Sequence, residues 1–595
     1  MKLEPLARVA DVSELKAAGP FALSANSVDV VLLRSGGNWR AFEGRCPHQG
    51  ALLGEGELDG GALICRNHRW RFSVDSGRRE GGPECLAACA VTERDGALFV
   101  DVAALEPPSA PIAGTRRAGD LAGPRPLPII GNLHQLDAMR GHLTLEEWSV
   151  RYGGTYQLRM GARRAVATSD PALIALALRA RPETFRRSAT IDSILSEAGV
   201  RGVFNAEGDA WRRQRKLAVA ALAQRHLRQL YPSIRMVAER LLAHWRGAAA
   251  VGEPVDITED IKRFTVDVTM LIVFGRDANT VGRADDAIQR ELEVILPVLN
   301  RRTFALCPTW RYVQTPSDRR FTRALVKLRA WLDGLLADTR ARLRAEPRRA
   351  QKPSNFIEAM ITAVDENGEP FSDDVIWSNL VTLLVAGEDT TGFTIAWAVH
   401  ELCDSPGWAA ELRNEADAVI GPMDVAGDVD VANRLASAEA VACETMRLRP
   451  VVPTTALETN ADVALGDVLV PKGTLVFVLP RPAAVSAENF ADPLAFRPDR
   501  WLNPSGGPHN VSAFLPFGSG PRMCPGRSLA LLEIKNLLSM LYKNFTVQRV
   551  GRSSDVTERF GFTMSPAGLK VRLTSRGSQH PHMPRPSSPA VKGSE

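Results

Sequence analysis

The sequence holds no uncharged apolar run of membrane-spanning length, and Met1 to Leu23 scatter charges among apolar residues without a signal-type apolar core. Neither a membrane anchor nor a secretory leader is expected, and the reading is cytoplasmic. Cysteine is sparse, with 8 in 595 residues, which excludes a disulfide scaffold and suits a reducing compartment. Neither sign of charge dominates: 73 Lys and Arg stand against 68 Asp and Glu, so a nucleic-acid partner has no electrostatic basis. No Gly-x-Gly-x-x-Gly fingerprint occurs, so a dinucleotide site of that kind is not expected within the chain.

The chain is too long for one ordinary domain, and its patterns divide it. From Phe21 to Val102 short alternating runs, such as Val28 to Leu33 and Trp39 to Phe42, are separated by turns, one of them Ser35-Gly-Gly-Asn38. This predicts a small all-β domain. Between Leu105 and Arg125 the Pro-, Gly- and Arg-rich sequence has no apolar periodicity and predicts a linker. Helical periodicity then dominates, interrupted by β segments at Thr155 to Leu158, Ala165 to Thr168 and Leu475 to Val478. A tail rich in Ser, Pro and His is expected to be disordered. The expected division is 1–104, 105–125, 126–574 and 575–595.

One cysteine stands in a loop bounded by Gly and Pro, Phe517-Gly-Ser-Gly-Pro-Arg-Met-Cys-Pro-Gly526. Leu531, Ile534, Leu538 and Leu541 follow at helical spacing, so a helix begins just behind Cys524. Its N-terminal N–H groups and dipole favour a thiolate. Gly520 and Gly526 permit close backbone approach to a flat cofactor, and Arg522 can pair with an acidic group at its edge. A buried structural cysteine is the plainer reading of the thiol alone. The pattern at Phe517, Gly520, Arg522, Cys524 and Gly526 resembles the heme-binding loop of the cytochrome P450 superfamily. That resemblance implies heme b with Cys524 as axial thiolate.

Two loops of the first domain carry Cys46-Pro-His48 and Cys65-Arg-Asn-His68. Two thiolates and two imidazoles suit a [2Fe–2S] centre with one iron held by each ligand type. The alternative is a zinc ribbon, against which the single residue between Cys46 and His48 counts. The loops, with Trp70 and Phe72 trailing the second, resemble the Rieske ferredoxin domain. The resemblance implies Cys46 and Cys65 on one iron and His48 and His68 on the other. Neither loop has the extra cysteine that forms a disulfide in high-potential relatives, so a potential low in the Rieske range is expected, and Cys85 and Cys89 read as ordinary thiols. The His-x-x-x-x-His pair of relatives that feed a mononuclear iron is missing among the 10 histidines.

Ser372-Asp-Asp is expected to cap a helix running to about Cys403, with the polar stretch Ala386-Gly-Glu-Asp-Thr-Thr391 at its middle opening the helical ladder. The stretch resembles the superfamily's oxygen-activation motif, which implies Asp389 and Thr390 as acid and alcohol of a proton relay. Glu444, Arg447 and Arg500 are similar to its buried structural triad, and Trp211 with Arg215 to its propionate-binding helix. Two departures occur: Pro453 to Glu458 has no arginine where relatives place another propionate partner, and Ala484-Val-Ser486 replaces a His-Arg-Asp turn. The apolar pocket is expected near Leu384, Val385, Val451 to Leu457 and Phe562.

These readings give a multidomain chain, a small all-β Rieske domain followed by a mainly α cytochrome P450 fold with small β-sheets. The implied function is a monooxygenase that inserts one oxygen atom from O2 into a small hydrophobic substrate. The fused cluster would relay electrons from an external NAD(P)H-dependent reductase, directly or through a ferredoxin. Alternatives are a heme-thiolate isomerase, dehydratase or peroxygenase, and a redox or gas sensor. Arg45, Arg66, Arg69 and Arg71 are expected to dock an acidic partner. Arg212, Arg213 and Lys216 are expected to receive the Rieske domain through Glu55, Glu57 and Asp59.

Overall fold

The computed structural model describes residues 6–576 apart from 16–17, 26–27, 48–51, 66–69, 81–84, 102–115, 138, 223, 283–286, 304, 306–307, 352, 366–367 and 504–506. The expected tail from 575 therefore lies outside the described residues beyond Arg576, as does most of the expected linker.

The first unit is built of strands. Val28–Ser35 and Asn38–Glu43 form a hairpin, and its turn places Gly36 and Gly37 at φ of 57° and 86°, the left-handed geometry that two-residue hairpin turns require. Residues Val30 to Leu33 are all buried because their alternating side chains enter two cores. Val31 and Leu33 pack with Cys46, Cys65 and Phe72, while Val30 and Leu32 pack with Leu98 and Val100.

The second unit joins earlier than the sequence suggests. Arg116–Arg117 pairs in parallel with Val468–Val470, and Arg116 Nε donates to Asp467 at 2.7 Å. Ala118 and Leu121 are buried with Ile174 and Leu178. The expected linker thus ends by residue 115; a local sequence without apolar periodicity was recruited by backbone pairing to a distant strand.

Five helices position the site. They are α1 (Gly208–Ala221), α2 (Ile257–Phe274), α3 (Asp373–Cys403), α4 (Ala436–Leu448) and α5 (Arg527–Asn544). A five-stranded sheet lies beside them, in the order Thr155–Met160, Arg163–Thr168, Leu475–Val478, Thr455–Thr459, Phe185–Arg187. The α2 helix is capped by Asp256, which accepts from Glu259 N at 3.1 Å, and it ends at left-handed Gly275. The α3 helix has 31 residues, about 46 Å. Ser372 stands at its N-cap, but the hydroxyl makes no capping bond; Asp373 and Asp374 in the first turn pair with Arg340 and Arg329 instead.

The α2 and α3 helices approach closely. A Cβ at Gly387 would stand 2.8 Å from Thr269 Oγ1 and one at Gly392 3.4 Å from Thr265 Oγ1. Among the described residues no helix is long and apolar enough to cross a membrane.

Candidate active site

The loop ahead of α5 presents Cys524. Its N–H donates to Phe517 O at 2.9 Å, closing the loop on itself. Gly520 has φ of 71°, and a Cβ there would meet Arg179 Cα at 2.7 Å, so only glycine lets the loop lie against that segment. Cys524 keeps accessible surface, while desolvation by the surrounding protein raises its thiol pKa. The N–H groups of Gly526 and Arg527 and the charges of Arg215 and Arg527 act in the opposite direction without overcoming it. The helix start alone therefore does not secure a thiolate; a bound cation such as iron would.

A buried cationic cluster lies nearby. Arg522 donates to Ala206 O at 2.6 Å and pairs with Glu207 at 2.5 Å, and its guanidinium covers the Trp211 ring at 4.6 Å. Arg187 donates to Phe204 O at 2.8 Å. Burial and then Arg522 hold Arg181 down to about 10, and burial followed by Arg181 and Arg522 lowers Arg187. Buried N–H groups of Arg181 (Nε, Nη2) and Arg522 (Nε, Nη1) have no partner among the described residues. Three guanidiniums facing one carboxylate, with N–H groups unmet, fit the two carboxylates at the edge of a heme.

Arg181 and Arg187 were not anticipated. Arg187 sits on Phe185–Arg187, directly opposite Leu457, beside the strand where the expected arginine is missing. The cluster is thus supplied from the neighbouring strand, and the signal was the run Arg181-Pro182 to Phe185-Arg-Arg187. Arg215, expected beside Trp211, donates to Met523 O at 2.5 Å.

At mid-α3 the helix is unbroken, contrary to the expected opening of its ladder. Threonine hydroxyls bond back into it instead: Thr390 Oγ1 donates to Ala386 O at 2.8 Å. Thr265 of α2 donates to Glu388 O at 2.9 Å. Asp389 is raised by burial, opposed by Lys262 and by Thr563, whose hydroxyl lies 3.4 Å from Asp389 Oδ2. Leu384, expected to line the pocket, has no accessible surface and belongs to the core between helices. Ala386 is exposed there instead. Phe562 faces Phe204 with ring centroids 5.9 Å apart.

Glu444, Arg447 and Arg500 come together in the interior. Glu444 accepts from Arg447 at 2.7 and 2.9 Å, Arg500 at 3.2 Å, Trp501 Nε1 at 2.9 Å and Arg497 N at 2.9 Å. The departure at Ala484 to Ser486 costs nothing here, since Arg447 takes the Ala484 carbonyl at 2.8 Å.

In the first unit Cys46 and Cys65 are both buried, at 2% and 1% exposure, in one core with Leu53, Leu63 and Phe72. This soft donor pair fits a cluster iron. His48 and His68, together with Arg66 and Arg69, lie outside the described residues. Arg45 Nη1 donates to Met523 Sδ of the second unit at 3.0 Å and pairs with Asp29 at 2.5 Å. Asp29 and Arg45 also act on Arg215, and Arg179 acts on Glu43. The structure gives the described residues of the expected docking patches the following partners. Arg45 faces the second unit, Arg71 is held by Asp59 and Glu80, Arg212 by Glu183 and Asp209, and Arg213 approaches Asp365 at 3.8 Å.

Cysteine loop, cationic cluster and long helix together define a heme-thiolate oxidoreductase. Residues 121–573 match the family model Cytochrome P450, and residues 6–92 match the Rieske [2Fe-2S] domain. The chain belongs to the cytochrome P450 family, with a Rieske domain ahead of the catalytic unit, and its cofactors are accordingly a thiolate-ligated heme and a [2Fe–2S] cluster. It is a monooxygenase-class oxidoreductase with an electron-transfer domain in the same chain. Cytochrome P450 714D1 of Oryza sativa subsp. japonica is 29% identical over 457 residues, covering 73% of this chain and 78% of that one. Cytochrome P450 CYP99A1 of Sorghum bicolor is 30% identical over 456 residues, covering 71% and 86%. The crystal structure of the cytochrome P450DA heme domain aligns with a TM-score of 0.68 at 22% identity, over 77% of this chain and 98% of that one, and shares the fold.

Proposed function

We propose that the protein hydroxylates or otherwise oxygenates a small hydrophobic substrate, with electrons passing from an external NAD(P)H-dependent reductase, directly or through a ferredoxin, to the fused cluster and then to the heme. The observation that carries this reading is the bond between Arg45 and Met523, which sets the residue before Cys46 against the residue before Cys524. Bound heme supplies the chemistry of dioxygen activation.

The chain's own residues do the rest. Cys524 supplies the thiolate, and Phe517, Gly520 and Gly526 shape its loop. Arg181, Arg187, Arg522 and Trp211 receive the carboxylate edge, with Arg215 bracing the loop through Met523 O. Asp389 and Thr390 hold and pass protons on the pocket side of α3. Phe204, Phe562 and Val385 keep water from the reacting centre. Cys46, His48, Cys65 and His68 hold the cluster, and Glu444, Arg447 and Arg500 hold the surrounding fold. A reducing compartment, the cytoplasm, suits a chain whose thiols serve metal binding.

The test supplies holoenzyme, NADPH and a surrogate reductase–ferredoxin pair under 18O2 with dodecanoic acid, limonene and ethylbenzene as probes. The reading expects one 18O atom in the product and NADPH dependence. Product formed without NADPH, or carrying no label, contradicts it.

A further inference from the structure

The strands Thr557–Phe560 and Met564–Ala567 pair antiparallel and turn through Gly561, Phe562 and Thr563. Their alternation sends Glu558 and Phe560 inward and leaves Thr557 and Arg559 exposed. At the tip the Thr563 hydroxyl reaches Asp389 of α3. Phe562 keeps 40% of its surface and faces Phe204, whose ring centroid lies 3.5 Å from the Arg187 guanidinium. Two strands of 4 residues each are too short to fix such a tip by their own pairing. The hairpin is fixed at Glu558 instead.

Glu558 is buried and takes donors from three other elements. His142 Nε2, on the helix Gly141–Tyr152, bonds Oε2 at 2.8 Å. Arg449, just past the end of α4, and Arg481, on the helix Pro480–Ala484, each donate to Oε1 at 2.8 Å. Burial raises the Glu558 pKa, but His142, Arg481 and Arg449 outweigh it and hold the carboxyl well below its usual range. An ionised carboxylate only accepts, so Nε2 of His142 carries the donated proton. The arginines are held in turn, Arg481 by Glu146 at 2.6 Å and Arg449 by Glu401 of α3 at 2.9 Å. The His142 ring also packs on Phe560 with centroids 5.2 Å apart. Charge-assisted bonds in such a buried set admit little displacement, because moving the strand would leave a charge without its partners.

We propose that Glu558 is a positioning residue of the substrate pocket: its three buried donors fix the hairpin so that Phe562 closes the pocket wall against Phe204, which sets the size and shape of substrate admitted. The inference rests on the monooxygenase reading and adds to it a determinant of specificity that touches no substrate. Phe204 and Phe562 are the surfaces a substrate meets, and Glu558 acts through Phe562, four residues further along. Both ends of the hairpin are referred to the same helix, the base through Arg449 and Glu401 and the tip through Thr563 and Asp389.

The experiment uses the holoenzyme and two azoles that ligate heme iron, imidazole and 4-phenylimidazole, with binding read from the optical shift of the heme band. Imidazole is too small to reach the wall, whereas the phenyl group of the larger azole extends toward it. Phe562→Ala and Glu558→Gln are each expected to weaken 4-phenylimidazole by about 3- to 10-fold, the loss of one aromatic contact, with imidazole unchanged. The double variant is expected to bind no more weakly than either single one, because both remove the same contact. Should Glu558→Gln fail to retain heme, Arg449→Gln serves, since the Arg449 side chain is 34% exposed and lies at the accessible edge of the set. A smaller weakening is expected there, absorbed again by Phe562→Ala. Unchanged 4-phenylimidazole binding in Glu558→Gln, or in Arg449→Gln where that variant carries the test, overturns the proposal. So do losses that add to that of Phe562→Ala, or equal weakening of both azoles, which a merely structural role would give. Azole binding needs no turnover, so absence of product in every variant, wild type included, would count against the monooxygenase reading and not against the role of Glu558.

Discussion

Arg45 Nη1 donates to the Met523 thioether at 3.0 Å, joining the loop that leads into Cys46 to the loop that leads into Cys524. The Asp29 carboxylate, 2.5 Å from the same guanidinium, keeps it extended toward that face. Arg45→Glu is expected to slow heme reduction by about tenfold, as loss of about 1.4 kcal/mol of docking would, with heme and iron content unchanged. Anaerobic reduction kinetics measure it; a rate equal to wild type removes this contact from the electron path.

Arg181 and Arg522 carry buried N–H groups without partners among the described residues, beside the lowered Arg187. Arg181→Met is expected to weaken heme retention by roughly 10- to 150-fold, since a hydrogen bond to a charged group contributes about 1.5–3 kcal/mol. Transfer of heme to apomyoglobin reads the loss. Unchanged retention would assign these groups to something other than the heme edge.

Glu444 is the acceptor for two arginines, a tryptophan and a backbone N–H in the interior. Glu444→Ala leaves Arg447 and Arg500 buried without their counter-charge, and a loss of about 3–5 kcal/mol is expected. Denaturant unfolding of the holoenzyme checks this, and a loss under about 1 kcal/mol would place the pair in the surface class.

Glu533 on α5 is 4% exposed, and burial alone pushes it from 4.5 up to about 8. The folded chain keeps this proton over a range where the unfolded chain has lost it. Its contribution is full below pH 4.5 and is lost as pH rises through about 8. Glu533→Gln removes that dependence. Relative to wild type its stability is expected to rise by about 2 to 3 kcal/mol between pH 6 and pH 9, read from denaturant midpoints; a constant difference contradicts the buried-acid account.

Much of this was legible because the motifs are local. The Cys524 loop, the stretch from Ala386 to Thr391 and the Glu444-to-Arg447 turn each lie within one element, where spacing reports geometry. Hidden features were those made by distant segments meeting. Arg187 reaches the cluster of Arg181 and Arg522 because its strand pairs with Thr455–Thr459, and Lys262 reaches Asp389 because Gly387 admits α2. Arg116 joins a strand more than three hundred residues away. Charge counting also gave no sign of local partners: Arg212 pairs with Glu183 and Arg71 with Asp59 within their own units.

The central claim is that the fused cluster is the internal electron donor. The most direct measurement is anaerobic stopped-flow reduction of the heme by a surrogate reductase, followed at the heme absorption band, in wild type and in His68→Ala. The account predicts that the variant keeps its heme while the reduction rate collapses. Equal rates would mean that electrons reach the heme without the cluster, and would contradict it.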